Sequence, residues 1–141
     1  MKERKLDLNW RVIFAAVLIL LIAAFILFAI FTPRHAEIDG DTLRFKHLFT
    51  SFDVPLGDVA SVELLDSLPS LNKVSGIGVF FLSEGTYRVD GYGTCTISLN
   101  QSEPPFIAVT DKSGESWLFS LNDQDTTREF YGELAAEIPQ N

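Results

Sequence analysis

The sequence predicts a small, mainly β domain with one C-terminal helix, preceded by a single transmembrane helix. Three observations predict it. Residues 12–31 carry no charged or strongly polar side chain. Apolar and polar residues then alternate in steps of two through much of the chain, and a single helical apolar stripe closes it. This organisation divides the chain into an N-tail (1–11), a spanning helix (12–31) and a folded domain (36–138).

The spanning helix is read from VIFAAVLILLIAAFILFAIF, Val12 to Phe31. At about 1.5 Å per residue such a run reaches ~30 Å, the hydrocarbon thickness of a bilayer. Trp10 and Arg11 at one boundary, and Arg34 at the other, suit the interface positions of an aromatic ring and of cations. Pro33 discourages helix continuation. The run exceeds the ~7–15 apolar residues of a cleaved signal and no small-x-small site follows it, so an uncleaved signal anchor in the cell membrane is expected. Lys2, Arg4, Lys5 and Arg11 on the short N-side face Arg34, Arg44 and Lys46 on the other flank. The denser N-side cations predict a cytoplasmic N-terminus and an extracytoplasmic domain.

The 141-residue chain has a net charge of −8, and the domain is more acidic still. From Thr32 onward seven Lys and Arg stand against seventeen Asp and Glu. Nucleic acid is thereby excluded as a partner, because its capture needs clustered cations to displace phosphate counterions. Cys95 is the only cysteine, which excludes an intrachain disulfide and a multi-cysteine zinc site.

Strands follow in order. After a turn at Asp39-Gly40-Asp41, Leu43 and Phe45 alternate with Thr42, Arg44 and Lys46. Phe52 and Val54 form a short run stopped by Pro55 and Gly57, and Ala60, Val62 and Leu64 form the next. Between Thr94 and Leu99, Cys95, Ile97 and Leu99 face one way and three hydroxyls the other. Ile107 and Val109, then Trp117, Phe119 and Leu121, predict a hairpin around Asp111-Lys112-Ser113-Gly114. Short strands with one polar face each predict an antiparallel sheet curled into a sandwich or barrel. Asn122-Asp123-Gln124-Asp125 supplies a helix cap, and Phe130, Tyr131, Leu134, Ala135 and Ile138 supply an apolar stripe.

An N-terminal anchor, short strands and one closing helix resemble the bacterial pleckstrin-homology (PH)-like membrane proteins. The resemblance rests on Phe52 to Val59 running into Ser61 to Leu65, and on the C-terminal phrase FSLNDQDTTREFYGEL from Phe119. It implies a PH-like fold of six or seven strands over residues 36–138, and a binding or assembly module without catalytic residues. Members of that fold that bind phosphoinositides use a basic cluster at the first hairpin. Only Arg44, Lys46 and His47 stand there, beside Asp39 and Asp41, so phosphoinositide is not an expected ligand.

No residue pattern supplies chemistry of its own. His35 and His47 lack metal-ligand spacing, and Cys95 lies on an apolar strand face. Asp39/Asp41 and Asp123/Asp125 read as a turn and a cap, lacking the rest of a calcium loop. Neither a metal nor a cofactor is expected, and no enzyme activity. The segment from Asp66 to Gly93 is glycine-rich, with an apolar centre that forms either a core strand or an exposed contact patch. The candidate interaction residues are therefore Ile77, Val79, Phe80, Phe81 and Leu82, with Tyr87, Arg88 and Tyr92 at the rim. The expected function is a membrane-tethered, non-enzymatic module that binds a protein in the cell envelope. The alternative is an anchored sensor or carrier holding a small ligand in the barrel interior.

Overall fold

The computed structural model describes residues 2–48, 50–79 and 82–138, with side chains from residue 9 onward except at 30 and 79. The chain divides into two compact units, Met1–Thr32 and Pro33–Asn141. The first unit is one helix, α1 (Lys2–Phe31). Its stretch Asn9–Ala29, 21 residues long, contains an 18-residue window with a mean hydropathy of 3.3, of which 6% is buried in protein. It is long and apolar enough to cross a membrane.

The second unit is mainly β, with nine strands among the described residues and one helix. Strands β1 (His35–Asp39), β2 (Thr42–His47) and β3 (Thr50–Pro55) form an antiparallel meander. A second sheet contains β4 (Val59–Leu65), β5 (Leu71–Val79), β6 (Leu82–Val89), β7 (Gly93–Asn100), β8 (Phe106–Asp111) and β9 (Ser116–Phe119). Their spatial order is β4-β8-β9-β7-β6-β5. The sheets do not close into a barrel: β4 and β5 are edges of the larger sheet, and β1 and β3 of the smaller.

Two features differ from the sequence expectation. First, β7 and β9 pair in parallel, Ile97 opposite Leu118. After β7 the chain crosses one position before laying down β8, and the β8–β9 hairpin places β9 in the vacant slot. Alternation reveals strands but carries no information on their order, so this crossover is invisible to it. Second, the Asp66–Gly93 stretch, whose apolar centre is expected as a core strand or a contact patch, contains two paired strands. β5 and β6 pair from Leu71↔Val89 to Val79↔Leu82, with a register shift between Lys73 and Ser75. The expected β8–β9 hairpin is present, with Asp111 accepting from the backbone N–H groups of Ser113 and Glu115 at 3.0 and 2.9 Å.

Each face of the larger sheet carries its own core. Ile107, Val109, Trp117, Phe119 and Leu121 pack with Leu43, Phe45 and Val54 of the meander and with the final helix. Phe45 stacks on Phe52 at 5.0 Å between ring centroids, and tilts against Phe119 at 5.0 Å. On the opposite face, Tyr87, Val89, Cys95, Ile97, Leu99, Phe106 and Leu118 form a second cluster. Cys95, Ile97 and Leu99 are buried, as the alternation requires.

The final helix, α2 (Gln124–Glu137), is capped by Asp123, whose carboxylate accepts the Thr126 N–H at 2.7 Å. That bond is the main reason the Asp123 carboxyl lies below the usual carboxylate range. Thr127, Phe130 and Leu134 are its buried positions, and Ile138 continues the stripe. The stripe packs on the first core, where Phe130 meets Phe119 edge-on at 6.2 Å.

Candidate functional site

The inward face of the meander is read row by row from its register. Ile38, Leu43 and Val54 make one row, and Ala36, Phe45 and Phe52 the next. Strand alternation then brings His47 and Thr50, which pair, onto the same face, and Arg34 one step beyond the His35↔Lys46 pair. The row where the chain enters the domain is therefore polar: Arg34, His47, Thr50. The larger sheet does the same thing. Leu64, Ile107 and Phe119 share a row that continues into Ser98 and Glu84.

These two polar row-ends meet inside the domain. His47 Nδ1 bonds Glu84 Oε1, and Thr50 Oγ1 donates to Glu84 Oε2 at 2.9 Å. Ser98 Oγ lies 3.4 Å from His47 Nδ1. Glu84 and His47 are each 1% exposed and Ser98 is fully buried. Leu48, next to His47, holds a positive φ of 45°, a conformation that costs a leucine about 1–2 kcal/mol.

Arg34 completes the junction. Its residue is 7% exposed, and its backbone N–H donates to Asn122 Oδ1 at 2.8 Å. Its side-chain Nε and Nη2 are buried without a hydrogen-bond partner. Burial lowers the guanidinium pKa and the Glu84 charge opposes that shift, but arginine stays protonated regardless. Arg34 is expected as a membrane-boundary residue, and in the structure its side chain is buried.

Beside the junction lies a cleft of about 340 Å³ lined by Thr50, Ser75, Gly76, Ile77, Glu84, Gly85 and Thr86. It forms where Gly76 and Gly85 pair across the hairpin with φ of +119° and +126°.

The candidate interaction residues are dispersed. Leu82 and Tyr87 are buried, Ile77 and Tyr92 half-buried, and Arg88 exposed. Val79 is in β5, its side chain outside the description, and Phe80 and Phe81 lie outside the described residues. The Tyr87 phenol donates to the Ile77 carbonyl at 2.9 Å, over Gly78, where an added Cβ would sit 2.9 Å from the phenol oxygen. Replacing Tyr87 by phenylalanine removes that bond. The expected loss is about 1 kcal/mol, read as a lower urea midpoint at unchanged slope.

Tyr92 donates to Glu63 at 2.6 Å. Burial first, and then this carboxylate, push its pKa up to about 12. Burial pushes the Cys95 thiol up to about 11, which makes it a poor nucleophile near neutral pH. Within α1, just before the apolar run, Trp10 and Arg11 are exposed. Among the described residues no group of three or more His, Cys, Asp or Glu is placed to hold a metal ion.

Sequence reasoning passed over Glu84 entirely. His47 and Thr50 did carry a signal: each stands two residues from an inward-facing phenylalanine, Phe45 and Phe52 respectively. No known family model, curated protein or solved structure matches the chain.

Proposed function

We propose that this chain is a single-pass membrane protein whose β domain is a tethered, non-enzymatic binding module for a protein partner. The observation that carries the reading is α1. Val12, Ile19, Leu20 and Leu21 are all more than 60% exposed along an apolar helix with almost no protein cover. Leaving such a surface in water is unfavourable by about 25 cal/mol per Å², and a bilayer removes that penalty. The cation asymmetry at its ends supports a cytoplasmic N-terminus and an extracytoplasmic domain.

The interior between the sheets is filled by Phe45, Phe52, Trp117 and Phe119, with ring centroids 5.0–5.9 Å apart. That packing supports a module acting through its outer surface over a carrier with a ligand inside. A meander first and a capped helix last support the PH-like reading, while the parallel β7–β9 pair departs from an all-antiparallel version. The contact surface belongs to the β5–β6 hairpin, where Val74 stands 57% exposed at an unpaired sheet edge.

The test uses the full chain in its own membranes. It is expected to resist alkaline carbonate extraction, and Leu20→Lys with Leu21→Lys should release it, since each lysine costs about 2.5–3.5 kcal/mol at a helix centre. A photo-crosslinker at Arg88 should give a discrete protein adduct that the same group at Lys112 does not. Carbonate release of the unaltered chain, or equal adducts at both positions, would overturn the reading.

A further inference from the structure

We propose that the β5 edge accepts an extended segment of the protein partner as an added strand, and that Lys73 and Arg88 select a segment with two neighbouring acidic residues. This deepens the reading above and rests on the β5–β6 hairpin being the contact surface. β5 is the last strand on its side of the larger sheet. Among the described residues, no hydrogen bond reaches Leu71–Ser75 from any element but β6. The second half of the strand is less open, because the Tyr87 phenol takes the Ile77 carbonyl. Asn72, Lys73, Val74 and Ser75 are all exposed. An uncovered row of N–H and C=O groups is a template for one more strand, whose main-chain bonds supply affinity and whose side chains supply selection.

Charge identifies the segment. The domain is acidic, yet β5 and β6 hold Lys73 and Arg88 against one acid, Glu84, which is buried against His47 and Thr50. The solvent-facing charge of the two strands is therefore wholly positive. Among the described residues, neither cation forms an ion pair. Register places them on opposite faces of the hairpin. Lys73 stands opposite Tyr87, and Arg88 opposite Asn72, whose short side chain leaves the guanidinium room to reach across β5. A cleft of about 480 Å³ opens there, lined in part by Ser70, Asn72, Arg88 and Asp90. Successive residues of a strand face opposite sides, so adjacent acids on an incoming strand meet Arg88 with one carboxylate and Lys73 with the other. The acids elsewhere on the domain oppose such a partner weakly, because exposed charges more than about 8 Å apart are largely screened at physiological ionic strength.

A second β5 strand is the poorer occupant, since Leu71–Val79 contains no acid to meet either cation. Val74 is the extra residue of the β5 bulge and stands 57% exposed, an apolar contact for a side chain of the incoming segment. A lysine and a bulge are also the means by which sheet edges are blunted against pairing. The two roles differ in outcome. A blunted edge refuses every strand, whereas a receiving edge discriminates between strands by charge.

The experiment titrates the full chain, held in maltoside micelles, with a capped heptapeptide Thr-Val-Thr-Glu-Asp-Val-Thr and with a twin carrying Lys-Arg at its centre. The acidic peptide is expected to bind saturably with a Kd about tenfold below that of the twin. At saturation, amide hydrogen exchange within Leu71–Ser75 should slow by about tenfold. Lys73→Glu combined with Arg88→Glu should reverse the preference without moving Tm, because both side chains are exposed. The comparison of the two peptides on the unaltered chain needs no variant to fold. Binding of neither peptide, equal binding of both, or protection that falls outside Leu71–Ser75 would overturn the proposal. So would β5 amides that are already slow without peptide and slow further with chain concentration, which would identify a second copy as the occupant. A discrete protein adduct at Arg88 with no strand protection would leave the binding-module reading standing and sink strand addition alone.

Discussion

Replacing Glu84 with alanine is expected to destabilise the domain by about 3–5 kcal/mol, lowering Tm by roughly 10–25 °C. The reason is charge bookkeeping inside a dry junction. Glu84 is 1% exposed and is the carboxylate that His47 Nδ1 and Thr50 Oγ1 address. Its charge is also the one that offsets burial of the Arg34 guanidinium. Removing it takes the countercharge from that buried cation, the acceptor from Thr50 Oγ1 and the carboxylate from His47 Nδ1. Glu84→Gln keeps the volume and one acceptor, and should cost less, about 1–3 kcal/mol. Pairing Glu84→Leu with Arg34→Met removes both charges and should recover much of the loss, because an apolar pair of similar size needs no compensation. Urea denaturation of the full chain in micelles measures all three. A loss below about 1 kcal/mol for Glu84→Ala, or no recovery in the double variant, would mean the junction is solvated and its charges are independent.

What the sequence revealed and what it hid follow one physical division. Local periodicity was legible: the apolar run of α1, the inward triplet Cys95, Ile97 and Leu99, and the capped stripe of α2 all appear where alternation or helical spacing puts them. Non-local order was not. Whether β9 lies beside β8 alone or also beside β7 depends on which slot remains open when the hairpin docks, and no residue of Ser116–Phe119 encodes that. The junction was half legible. His47 and Thr50 continue the Phe45 and Phe52 alternation inward, so their burial could be read. Their partner Glu84 sits 34 and 37 residues away, in the glycine-rich stretch, and no local pattern links it to them. The burial of Arg34 was not legible either, because a cation next to an apolar helix carries no local sign that its side chain is covered.

Those glycines set the second large effect. Gly76→Ala and Gly85→Ala are each expected to cost about 3–5 kcal/mol, for two additive reasons. The backbone at both positions has a strongly positive φ, which a side chain at Cβ disfavours. The space is also absent. A Cβ on Gly76 would lie 2.2 Å from the Glu84 carbonyl oxygen and 2.8 Å from Gly85 Cα. One on Gly85 would lie 2.5 Å from the Ser75 carbonyl oxygen and 2.7 Å from Gly76 Cα. Every one of these neighbours is backbone, so no rotamer change relieves the overlap. The hairpin must open, and opening it moves the backbone that carries Glu84 into the junction. Gly132 supplies the opposite sign: it lies exposed within α2 with nothing within 4 Å of an added Cβ, so Gly132→Ala should stabilise by about 0.5–1 kcal/mol. Gly76 and Gly85 face each other in register, so the double alanine variant relieves one shared approach and should cost less than the sum of the singles. Equilibrium unfolding of the four variants reads the set. If Gly76→Ala and Gly132→Ala shift stability in the same direction, the close backbone approach is not what shapes this hairpin.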